Sequence, residues 1–196
     1  LRMSLEQQNR RALLAGLGMA ATSVTLGGRT AEAQGAVTPF TPARHEQDAW
    51  MSAMPGQHRV VLDVVSPVGV PDGIRFAGNL FTGNKTGYGV EEAELALIVV
   101  RRHSATAYGY NDAIWSKHGK VIDGKATPPP VANPYNSGER MQLAGLAKRG
   151  VQFIICGTAS RGLAGRIAGQ GGDAEAVLKE MSANLIPNAR IVSAGV

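Results

Sequence analysis

The stretch GVQFIICGTASRGLAGR, Gly150 to Arg166, sets a short apolar run directly against a small-residue turn and a second periodic segment. Val151 to Cys156 reads as a buried strand, because a continuous apolar run of this length between turn signals is what a strand covered on both faces needs. The glycine-rich segment from about Ser160 to Ala168 reads as a helix. The helix Gly138–Gly150 precedes the strand, with Met141, Leu143, Ala144, Leu146 and Ala147 on one side and Gly150 as its stop. Helix, strand, helix in this order is the repeating unit of a parallel α/β sheet.

Working outward, the same alternation recurs. His58–Val65 and Glu94–His103 are valine- and isoleucine-rich runs, and Ala189–Gly195 closes the series. Between them, Gly73–Gly83 places Ile74, Ala77, Leu80 and Phe81 at helical spacing. Tyr110–Gly119 points Ala113, Ile114 and Trp115 inward, and Asp173–Leu185 is a helix with Asp173 as its cap. Pro67, Gly69, Pro71, Asp72 and Gly73 read as a chain break. Asp123–Gly138 holds no regular pattern and reads as a long loop over a site or a partner. The fold class expected is α/β: a small, doubly wound, mostly parallel sheet with helices on both faces.

The 196 residues are 44% hydrophobic, suiting one globular domain. Part of the formal charge of +5 lies in an N-terminal segment with the marks of an export signal. Arg10 and Arg11 are adjacent, Leu13–Leu26 carries no charge, and Ala31-Glu32-Ala33 matches an A-x-A cleavage pattern. The arginine pair followed by Leu13 and Leu14 resembles a twin-arginine signal, with Asn9 where Ser or Thr is usual. The division expected is therefore 1–33 signal peptide, 34–56 linker or N-terminal arm, and 57–196 α/β domain, with the mature chain in the periplasm. Residues 1–33 hold four Arg and two acids, so cleavage leaves a charge of +3. The remaining basic pairs, Arg101-Arg102 and Lys148-Arg149, lack interleaved aromatics, which argues against nucleic-acid binding. No later stretch is long and apolar enough to span a bilayer.

Cys156 is the only cysteine, so an internal disulfide is excluded. It ends one strand, and His103 ends another. In open parallel sheets ligands bind beyond the carboxyl ends of the strands. If the two strands are neighbours, thiol and imidazole share a rim, and the amides opening the next helix favour a thiolate. Position alone favours a packed small hydrophobe. His45, His58 and His118 show no ligand spacing, and one cysteine with one histidine falls short of a structural zinc site, so no metal is expected.

The run LAKRGVQFIICGTASRGLAG, the ending LIPNARIVSAGV, and VVRRHSATAYGYNDAIWSKHG (Val99–Gly119) together resemble DsrE/DsrF-like proteins, over roughly residues 58–196. The resemblance implies a small doubly wound α/β fold assembled as a homotrimer or homohexamer. It also implies that Cys156 carries sulfur as a persulfide between a donor and an acceptor protein. Family members usually continue past the final strand into a short helix, whereas this sequence stops at Val196. Three functions follow as expectations: a periplasmic sulfur carrier or sulfurtransferase-like protein using Cys156 with His103 nearby, a non-enzymatic oligomeric binding or assembly module, or a haem protein with His103 or Cys156 as axial ligand. No C-x-x-C-H attachment motif accompanies the last, and no cofactor is assigned.

Overall fold

A computed structural model describes Thr41, Ala43 and residues 45–136 and 142–195. The signal reading of residues 1–33, most of the arm at 34–44, and the helix start expected at Gly138–Met141 lie outside these residues. The chain divides after Arg44, and the unit from His45 onward carries the α/β fold.

After a 3-10 turn at Glu46–Asp48, α1 (Ala49–Ala53) leads to β1 (His58–Val64), α2 (Gly69–Tyr88), β2 (Leu95–Arg101), a 3-10 stretch (His103–Gly109) and α3 (Asp112–Ile122). The loop from 123 follows, then α4 (Gln142–Lys148), β3 (Gln152–Cys156), α5 (Gly157–Ala168), α6 (Ala174–Ser182) and β4 (Ala189–Val192). The four strands form one all-parallel sheet in the order β1-β2-β3-β4. The α/β class and the parallel sheet are as the sequence predicts.

The winding differs from that expectation. A doubly wound sheet reverses its strand order, and this one does not. With right-handed crossovers, an unreversed order puts every strand-to-strand connection on the same side. The register agrees. Leu62, Val99, Phe153 and Ala189 lie in one cross-strand row, and Val64, Arg101, Ile155 and Ile191 in another. Apart from Arg101, these side chains join one core with Val70, Ile74, Ala77 and Phe81 of α2, Ile114 and Trp115 of α3, Leu163 of α5 and Met181 of α6. Burying side chains of this size contributes about 1.5–3 kcal/mol each.

The alternate residues, Val61, Ile98, Val100, Ile154 and Val192, face the other way. Val61 is 60% exposed. Only α1 of the helices described lies over this face. Trp50 stacks against the Arg190 guanidinium at 4.1 Å, and Arg59 donates to the carbonyls of Met51 and Met54. The expected arm is thus folded from Glu46 onward. Between α1, the sheet and residues 193–195 runs a groove of about 610 Å³.

Two other boundaries moved. α2 begins at Gly69 and takes in Pro71, because proline is tolerated in a first turn, where the missing N–H has no intrahelical partner. α5 begins at Gly157, directly after β3, with no intervening turn. The long loop is held at Asn133, which is fully buried. Its side-chain amide donates to the carbonyls of Tyr108 at 3.1 Å and Tyr110 at 2.8 Å, and its own N–H donates to Asp112.

Candidate functional site

The carboxyl ends of β2 and β3 carry the chemistry. Cys156 is at once the last residue of β3 and the N-cap of α5. An N-cap is normally an oxygen from Ser, Thr, Asp or Asn that accepts an N–H of the first turn. Here the sulfur does so: Cys156 Sγ accepts from the Ala159 N–H at 3.4 Å. A neutral thiol is a weak acceptor, whereas a thiolate is a charged one lying at the positive end of a helix. The thiol is 8% exposed.

Two glycines permit this arrangement. A Cβ at Gly157 would stand 2.5 Å from the Val192 carbonyl oxygen, so only glycine lets α5 start so close to the end of β4. A Cβ at Gly195 would stand 2.9 Å from Arg102 Cβ and 3.1 Å from Cys156 Cβ. Residues 193–195 therefore pass tightly beside the cysteine, and Thr158 Oγ1 donates to the Ser193 carbonyl at 3.2 Å.

Beneath the cysteine, Ser160 Oγ donates to the Cys156 carbonyl at 2.8 Å, and the Tyr110 hydroxyl donates to Ser160 Oγ at 2.6 Å. Both side chains are fully buried. Burial pushes the Tyr110 phenol up to about 12, partly offset by the hydrogen bond with Ser160, and the charge of Cys156 adds to the rise. The phenol is a neutral donor at any physiological pH.

The neighbour of Cys156 across the rim is Arg102 rather than His103. Arg101 pairs with Ile155 in the ladder, so the next residue along β2 comes level with Cys156 on the more open face. Arg102 holds Asp63 in a fork, Nε to Oδ1 at 2.9 Å and a terminal nitrogen to Oδ2 at 2.7 Å. The Asp63 hydrogen bond raises its already high pKa, and the charge of Cys156 adds a last, smaller contribution. His103 adopts φ 54°, turning the chain into the 3-10 stretch, and its Nδ1 lies 3.3 Å from Ser104 Oγ. None of the described hydrogen bonds joins His103 to Cys156, so the pairing expected from strand ends alone is not among the described contacts.

Sequence reasoning missed Arg101. Its side chain is 0% exposed, and Nε and both terminal nitrogens have no hydrogen-bond partner among the described residues. Its guanidinium lies over the Phe153 ring at 5.4 Å. Burial pulls its pKa down to about 10, partly offset by the Tyr135 phenol. The signal was available: in a strand alternation sends one of two consecutive arginines inward.

No family model, curated protein or solved structure matches the chain. Among the described residues, no helix is long and apolar enough to cross a membrane.

Proposed function

We propose that this chain is an exported DsrE-like sulfur carrier in which Cys156 holds sulfur as a persulfide. The observation that supports this reading is the sulfur N-cap on α5, where Cys156 Sγ accepts from the Ala159 N–H at the positive end of a helix. In the loading step the Cys156 thiolate attacks the outer sulfur of a donor persulfide. A new S–S bond forms, the donor S–S bond breaks, and the donor leaves as a thiolate that takes up the proton Cys156 gave to solvent. Delivery repeats the exchange with an acceptor thiolate, so no external oxidant or reductant is consumed. Arg102, level with the cysteine, supplies positive charge to the persulfide anion. His103 is proposed as an accessory on the same rim, reached from solvent.

The test is loading with inorganic polysulfide. The intact mass should rise by about 32 Da, one sulfur, and fall back with reductant as sulfide is released. Cys156→Ser should abolish the gain. A wild-type mass that never changes would overturn the proposal.

A second reading is an oligomeric assembly module, a homotrimer or homohexamer as the resemblance implies. The exposed Val61 on a sheet face that carries α1 alone among the described helices favours it, since parallel sheets are ordinarily covered on both faces. Light scattering at micromolar concentration should give three or six chains; a monomeric mass would contradict it.

A further inference from the structure

We propose that Arg101 is the seat of a small oxyanion bound inside the fold at the carboxyl end of β2, on the helix-covered face and independent of Cys156. A guanidinium carries five N–H donors and no acceptor. Leaving buried donors unmet costs about 1–3 kcal/mol each, and more for a charged group. An uncompensated buried charge is among the most destabilising features a fold can hold. Arg101 meets both conditions at once, being wholly buried with its three nitrogens unpartnered among the described residues.

The surroundings define the occupant. Phe153 covers one flat side of the guanidinium, which leaves its in-plane N–H edges as the reactive part. Those edges form the planar fork that matches a carboxylate or a tetrahedral oxyanion through two parallel hydrogen bonds. Thr106 Oγ1 donates to the Arg101 backbone carbonyl at 3.3 Å and leaves the fork alone. Tyr135 is the one titratable side chain described that acts on Arg101, and no described carboxylate does. The adjacent Arg102 has its carboxylate, Asp63, so among the described residues the partly exposed guanidinium has a partner and the buried one does not.

Position and size narrow it further. The carboxyl end of a parallel strand is where α/β sheets bind ligands. A wholly buried fork has no open groove beside it for a nucleotide or a peptide, and its two parallel hydrogen bonds suit one oxyanion group. Sulfate, phosphate and acetate share the required chemistry and differ in shape.

The experiment is thermal unfolding of the full chain, titrated separately with sodium sulfate, sodium phosphate and sodium acetate, each at ionic strength held constant with sodium chloride. At least one should give a saturable rise in Tm of about 5 °C at high occupancy. A preference for sulfate and phosphate indicates a tetrahedral anion, and a preference for acetate a carboxylate. Arg101→Met should abolish the rise and, without oxyanion, unfold at or above the wild-type temperature, because an apolar side chain of similar length removes the buried charge. Cys156→Ser should keep the full rise, which separates this site from the sulfur chemistry. The proposal is overturned if none of the three anions gives a saturable shift. It is also overturned if Arg101→Met shows the same shift as wild type.

Discussion

Arg101 and Arg102 are consecutive in sequence and end on opposite faces of one sheet. Arg102 stands on the more open face, half exposed, with Asp63 in its fork. Arg101 stands on the helix-covered face, buried over Phe153, without a described partner. One residue of register separates a solvated ion pair from a desolvated cation. The same division runs through the whole sheet: one face packs against the helices, and the other carries α1 alone among the described helices. Cys156 belongs to the second face by strand alternation and to α5 by its sulfur.

The comparison breaks first where packing is removed. Phe153→Ala on the helix-covered face should cost about 3–5 kcal/mol in urea unfolding, from lost burial and the cavity left behind. Val61→Ala on the open face should change stability by no more than about 0.5 kcal/mol. Equal losses would mean that the two faces are packed alike. A smaller effect is expected at the loop that closes the helix-covered side. Asn133→Ala strips two buried carbonyls of their donor and should cost about 2–4 kcal/mol by the same measurement, with a loss under 1 kcal/mol counting against the anchor.

The smallest effect concerns the Arg149–Glu92 pair at the opposite end of β2, where both side chains are partly exposed. The hydrogen bond from Arg149 holds the Glu92 carboxyl below its usual 4.5. A carboxyl lowered in the folded state stabilises fully above its unfolded pKa and loses that contribution as pH falls through the folded one. Glu92→Gln should therefore cost less than about 1 kcal/mol at pH 7, since solvent screens the pair, and the difference from wild type should fade below pH 4.5. A gap that persists at pH 2 would assign the effect to packing.

The strands were readable because their valines and isoleucines leave no helical alternative at that length. β1 even showed its two faces, with Val60, Leu62 and Val64 against Arg59, Val61 and Asp63. β2 did not: from Leu95 to Val100 every position is apolar, so nothing in the string tells which side lacks a helix, and two covered faces were the natural expectation. Pro67, Gly69 and Pro71 read as a break because turn residues and first-turn residues are the same residue types. At the site, Cys156 and its helix were legible from spacing. The place of Arg102 level with Cys156 was not, since it depends on the register of β2 against β3. Arg101-Arg102 reads in the sequence only as a short basic pair, and strand alternation alone tells the inward arginine from the outward one.

The central claim is that Cys156 is a working thiol rather than a packing one, and the rate of its alkylation in the folded protein tests this most directly. Native protein treated with excess iodoacetamide should be labelled at Cys156 much faster than it unfolds, with the rate set by reagent concentration. Polysulfide loading beforehand should shift the label to the outer sulfur, so that reductant removes it. Labelling that proceeds no faster than global unfolding, whatever the reagent concentration, would contradict the account and leave Cys156 as a buried hydrophobe at the end of a strand.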